Sequence, residues 1–142
     1  TCETNVEDED LYAELEQKRR TSAVLYRELA RETMDRHALF TIGWMYYFGL
    51  GGCPKDARAA YAYFAAAAHQ SHTMALYYCG LMTERGEGHL EANPEKALSI
   101  YKVAISLKEK GSDLAAVAAA RLLEGTESLS EMEEYYRVAA EL

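Results

Sequence analysis

"GWMYYFGLGGCPKD", residues 43–56, is the stretch on which the reading of this chain turns. Aromatic residues and Met45 crowd the end of an apolar segment, which then stops at Gly49-Leu50-Gly51-Gly52. A turn this rich in glycine either cradles a phosphate or ends a helix. The phosphate-binding form follows a strand and opens a helix, so that backbone amides and helix dipole converge on the anion. Here the run before Gly49 is apolar at nearly every position, and Pro54 and Asp56 follow it. Gly49 is well placed as the residue just past a helix, and Pro54 prevents the helix from continuing. Asp56 offers a side-chain acceptor to the free amides of the next helix. The glycines read as punctuation.

The same punctuation recurs. A shift of 37 residues places Ala38 on Ala75, Gly43 on Gly80, Met45 on Met82, Gly49 on Gly86 and Gly51 on Gly88. It continues through Asp56 on Asn93, Ala60 on Ala97, Phe64 on Tyr101 and Ala67 on Ala104. A third copy follows a longer connection, "SLKEKGSD", and contains Ala115, Ala120, Leu122, Ser128, Tyr136 and Ala139. Upstream, "LYRELARETMDRHA" resembles the second half of a unit. The chain is a tandem repeat, and such chains fold as stacked supersecondary units.

Each unit reads as two helices. The second helix of the first copy, "ARAAYAYFAAAAH", has eight alanines among residues 57–68, which favour helix and allow close approach of neighbours. Gly43 and Gly80 fall mid-helix, where glycine costs about 0.5–1 kcal/mol relative to alanine. Close contact with an adjacent helix is the expected return. No stretch shows the alternation of a strand.

The order A-x-x-x-I-G-x-M-Y-Y-x-G-x-G over residues 38–51, then D-x-x-x-A-x-x-Y-F-x-x-A-A over 56–68, resembles the Sel1-like repeat. The second copy is similar, with A-x-x-x-C-G-x-M, G-x-G and N-P-E-K-A-x-x-x-Y-x-x-A. The resemblance covers about residues 21–142, although the third copy lacks the G-x-G pair and has Met132 where alanine is usual. It implies an all-α fold, an α/α superhelix or solenoid of antiparallel helix pairs related to tetratricopeptide arrays. The expected organisation is an acidic flexible tail over 1–10 and a repeat domain over 11–142. Within that domain a half repeat spans about 11–36, and repeats span about 37–73, 74–111 and 112–142.

Composition narrows the function. Of the net charge of −8, five units come from Glu3, Glu7, Asp8, Glu9 and Asp10, so residues 11–142 carry only −3. A chain this acidic, with one short basic cluster at Lys18-Arg19-Arg20, is a poor match for a nucleic-acid backbone. No apolar run reaches the roughly 18 residues of a membrane span, so direct membrane insertion is not expected. The first residue is Thr1 and the last lies in a helical pattern, so the chain reads as an excerpt of a longer one that lacks any targeting segment. Cys2, Cys53 and Cys79 lack the close spacings of a zinc site or redox pair, which favours free thiols and a reducing compartment such as the cytoplasm. Cys53 is expected in an exposed loop without an activating base. His69 and His72 straddle a helix junction, where a capping or surface role outweighs metal binding; His37 and His89 sit at helix edges. No string typical of hydrolases, metalloproteases or nucleotide-binding enzymes occurs. The expectation is a non-enzyme without cofactor or metal.

What remains is a binding surface. The resemblance implies that first helices line the concave side, with Ala38, Ile42, Met45 and Tyr46 in the core. The positions between them are expected to face a protein partner, a peptide or amphipathic helix. In the first copy these are Leu39, Trp44, Tyr47 and Phe48; in the second, Tyr78, Leu81, Glu84 and Arg85. Arg121 is the third-copy counterpart of Trp44 and Leu81, so the three are expected to form a row. Exposed aromatic area of this kind marks interaction sites. The alternative is a structural role, in which the apolar rim is covered by a helix near residues 12–20 or by contact within a larger superhelix or homo-oligomer.

Overall fold

The computed structural model describes residues 3–88, 90–124 and 129–141; Cys2, His89 and Ser128 lie outside them. Among the described residues the chain forms seven helices and no strand. They are α1 (Glu3–Thr33), α2 (Arg36–Phe48), α3 (Ala57–His69), α4 (Thr73–Arg85), α5 (Pro94–Ser106), α6 (Ser112–Leu123) and α7 (Leu129–Glu141). Each helix packs on the next in chain order, with the tightest pairings α2 with α3, α4 with α5 and α6 with α7. The result is the expected α/α solenoid of helix pairs.

The repeat dictates the helix ends. Asp56 accepts a hydrogen bond from the Ala59 amide and Asn93 from the Lys96 amide, both at 3.1 Å. Asp35 does the same for Ala38 at 3.1 Å, and its counterpart 37 residues on, His72, caps α4 through Nδ1 at 3.2 Å from the Ala75 amide. The capping role expected for His72 is the one it performs. At the other end, Gly49 and Gly86 adopt left-handed φ of 70° and 73°. That conformation lets the N–H groups of Gly49 and Leu50 reach the Met45 carbonyl, and those of Gly86 and Glu87 the Met82 carbonyl. The loops are then stitched back, Asp56 N–H to Tyr46 at 2.8 Å and Asn93 N–H to Thr83 at 2.9 Å.

Packing explains the mid-helix glycines. Phe64 of α3 and Tyr101 of α5 are fully buried, as are Ala60, Ala67, Ala97 and Ala104 around them. A Cβ on Gly43 would lie 2.8 Å from Phe64 Cδ1, and one on Gly80 would lie 2.7 Å from Tyr101 Cδ1. Each ring therefore rests on a bare stretch of helix. The Tyr101 hydroxyl donates to Glu84 at 2.8 Å, and Tyr136 repeats the contact on Glu124 at 2.8 Å.

Two expectations change. The acidic residues assigned to a flexible tail belong from Glu3 onward to α1. Lys18–Glu14 and Arg20–Glu16, both 3.9 Å, add four-residue ion pairs along its surface. Cys53 is buried rather than exposed, because α1 lies over the loop and Arg27 Nη2 donates to its Sγ at 2.8 Å. The same guanidinium sits 5.4 Å from the centre of the Tyr46 ring.

Candidate functional site

Side-chain size decides where the array opens. α6 is alanine-rich, so it comes close to α4, and Leu81 is enclosed with Ala115, Ala118 and Ala119. Between α2 and α4 the residues are Phe40, Trp44, Tyr47 and Tyr78, whose rings hold the helices apart. A cavity of about 460 Å³ opens there, walled by Phe40 and Trp44 of α2, His72 and Tyr78 at α4, and Lys110 of the α5–α6 loop. A second, of about 510 Å³, lies on the other side of Trp44 against Leu15 and Lys18 of α1, Met45 and Leu50. Trp44 is a wall of both, and 44% of it is exposed.

The rings form a connected set. Phe40 stacks on His72 at 4.6 Å, and Tyr78 stacks on Phe64 at 5.1 Å. Trp44 contacts Phe40 at 6.3 Å and Phe48 edge-on at 5.8 Å; Phe48 meets Tyr47 at 4.9 Å. Ring pairs at these separations add about 0.5–1.5 kcal/mol beyond their buried area, so the wall is held in place before any partner arrives. Tyr47 donates to Glu87 at 3.2 Å. Burial, and then that bond, raise its phenol pKa; burial also raises that of Tyr78. His72 is pushed down to about 4, chiefly by burial and then by the charges of His37 and Arg36. At neutral pH it is therefore an uncharged cap and stacking surface.

The residues expected to face a partner divide into three groups. Trp44 and Phe48 are exposed, and Tyr47 and Tyr78 are half-buried beside them. Leu39 (4% exposed) and Leu81 (7%) are core instead. Leu39 turns toward α1, packing with Ala30, and Leu81 is covered by α6. The row from Trp44 through Leu81 to Arg121 is thus broken at its centre. Glu84, Arg85 and Arg121 are engaged within the array: Arg121 pairs with Glu84 at 3.8 Å, and Arg85 with Glu87 at 3.6 Å. Of the expected core, Ala38 and Ile42 are buried, while Met45 and Tyr46 are half-buried.

Phe40, Arg36, His37 and Lys110 were missed. The first three had a legible signal, since they lie on the helix that carries Trp44, four to eight residues upstream of it. Lys110 had none, because it comes from the irregular connection before the third copy. No group of three or more metal-ligating side chains occurs among the described residues. Burial lifts the Cys79 thiol to about 12, which leaves it a poor nucleophile at neutral pH.

The fold is that of a helical-repeat protein: stacked helix pairs, with an aromatic surface left open between α2 and α4. The Sel1 repeat family matches residues 36–72 and 73–108, slightly more than half of the chain, and the chain belongs to that family. Among the solved structures that share the fold are two repeat proteins. One is c5321, a protective antigen of uropathogenic Escherichia coli with an SLR fold, at 27% identity and TM-score 0.74 over 86% of this chain. The other is a Sel1 repeat protein from Oxalobacter formigenes, at 26% identity and TM-score 0.68 over 84%. The aligned regions span 26% and 53% of those proteins, so this chain corresponds to part of each. No curated protein matches. No helix among the described residues is long and apolar enough to cross a membrane.

Proposed function

We propose that the chain is an adaptor or scaffold module that binds a peptide or helix of a partner protein on the face between α2 and α4. Trp44 is its central anchor. The observation that carries this reading is the position of Trp44: it is exposed, yet braced by Phe40 and Phe48, and it divides two adjoining cavities. Tryptophan and tyrosine dominate binding hot spots because they bury large area at small entropic cost. Membership of a repeat family whose members generally bind proteins supports the same class. The role is binding without catalysis, cofactor or nucleic acid.

The test is affinity purification with the full-length protein and its Trp44→Ala variant as paired baits, with melting curves for both. A partner held by wild type and released by the variant, at an unchanged melting temperature, supports the reading. A hot spot predicts a loss of at least about 2 kcal/mol, roughly 30-fold in affinity. Partners retained in full by Trp44→Ala place binding elsewhere. A variant that fails to fold makes Trp44 a core residue.

A second reading, self-association within a larger superhelix or homo-oligomer, is favoured by α1. Leu11, Leu15, Leu25 and Leu29 recur at helical spacing and are all exposed. Light scattering across a concentration series separates the two, since a stable dimer that survives Trp44→Ala would use α1 and not the groove.

A further inference from the structure

We propose that the cavity between α2 and α4 selects an acidic partner segment that carries one bulky apolar side chain. The inference rests on the groove reading above and adds the chemistry of the occupant.

The floor is aromatic, from Phe40, Trp44 and Tyr78, and suits a large apolar group. Its charged rim holds Arg36 and Lys110 against one lining carboxylate, Glu109. Arg36 stands at the start of α2, and Lys110 stands in the loop before α6. Arg36 Nη1 has a 3.4 Å hydrogen bond to the Gln70 carbonyl, and neither cation has an ion pair among the described residues. Glu109 and the neighbouring Asp35 each accept a hydrogen bond from a neutral donor and keep their charge. Asp35 caps α2, and Glu109 accepts from the Thr73 hydroxyl at 3.0 Å. The helices α2 and α4 also begin here, each 13 residues long, with the positive ends of their dipoles at the cavity. Two cations without an ion pair, set against the single lining carboxylate Glu109 and joined by two helix N-termini, make a local basic rim on a chain whose net charge is −8.

That contrast is what makes the inference testable. Net charge would draw basic partners from a distance, whereas the rim favours acidic ones on contact, where arginine and carboxylate meet through charge-assisted hydrogen bonds. A partner with acids flanking a Phe, Trp or Leu satisfies floor and rim together. A basic amphipathic segment satisfies only the floor.

The probe is a random 12-residue peptide library on phage, panned on the immobilised chain and depleted on Trp44→Ala. Surviving peptides are expected to carry an apolar anchor with Asp or Glu beside it. Synthetic versions should shift the fluorescence of Trp44, the only tryptophan in the chain. Arg36→Glu/Lys110→Glu should weaken them at least tenfold and leave the melting curve unchanged; Arg36→Gln/Lys110→Gln serves if the reversal fails to fold. Trp44-dependent peptides that are basic, or that show no charge bias, overturn this inference and leave the groove reading standing. The absence of any Trp44-dependent peptide overturns both. A dimer of this chain that excludes the peptides and dissociates in Trp44→Ala makes the occupant a second copy, and also overturns it.

Discussion

Replacing Gly80 with alanine should destabilise the protein even though alanine is the better helix former. The reason is the Tyr101 ring. A Cβ on Gly80 would stand 2.7 Å from its Cδ1, 3.0 Å from its Cζ and nearer still to Cε1, against the 3.5–4.0 Å of an ordinary carbon contact. The ring has little freedom to yield, since it is fully buried and its hydroxyl is held by Glu84. The helix propensity gain is about 0.5–1 kcal/mol, and overpacking costs about 1–3 kcal/mol. Because the ring is buried and tethered the upper part of that cost applies, and the net loss of about 1–2 kcal/mol lowers Tm by roughly 3–7 °C for a chain of this size. Circular dichroism melts of the single variant measure it, and Tyr101→Ala supplies the other arm of a double-mutant cycle. With the ring gone, Gly80→Ala should be neutral or stabilising; Tyr101→Leu serves if the cavity of Tyr101→Ala prevents folding. An unchanged Tm for Gly80→Ala, or the same penalty with and without the ring, would refute the packing argument.

Gly43→Leu should likewise cost at least about 1–3 kcal/mol through Phe64, read from its urea midpoint, and a wild-type midpoint would remove the role given to Gly43. Deleting residues 1–7 should leave Tm nearly unchanged, because α1 packs on α2 through residues such as Ala30 at its other end, and a large drop would show that the acidic turns are braced. Acid should act through His72, whose pKa of about 4 lies below the ordinary 6.5. The unfolded chain then binds the extra proton, so the contribution is fully present above pH 6.5 and is lost as pH falls toward 4. Between pH 7 and pH 5 it amounts to at most about 2 kcal/mol. His72→Asn, which caps without titrating, should flatten urea-measured stability over that interval, and an unaltered slope would assign the acid sensitivity to other groups.

The fold was legible because the repeat states its helix ends twice. Asp56 and Asn93 cap through the same atoms at the same distance, and Gly49 and Gly86 close their helices with nearly the same φ. The site was half legible. Trp44 and Phe48 were found from residue type and position, but Leu39 and Leu81 share the in-between positions and are buried. Periodicity gives the direction of a side chain from its own helix; it does not say which other helix arrives there. α1 arrives over Leu39 and α6 over Leu81, and neither approach is encoded near the leucine it covers.

Yet the difference between Trp44 and Leu81 has a cause in composition. These residues occupy one position in successive copies, and the size of the side chains that line the adjoining gap decides the fate of each. α6 reads "SDLAAVAAARLL", and its small residues let it close onto α4 and enclose Leu81. α2 reads "RHALFTIGWMYYF", and with Tyr78 opposite it leaves a ring-lined gap. Alanine on a first helix thus seals the array, and rings on a first helix open it. This yields a last test in the same chain. Replacing Ala119, fully buried against α4, with phenylalanine should prise α6 away from Leu81. The extra ring overpacks the site, at a cost of about 1–3 kcal/mol or more, while α2, α3 and the Trp44 cavities stay intact. Urea melts should show the loss, and Trp44 fluorescence in the native baseline should keep its wild-type maximum. If Ala119→Phe moves that maximum before unfolding begins, the two inter-helix gaps are coupled and spacing is not set locally by side-chain size.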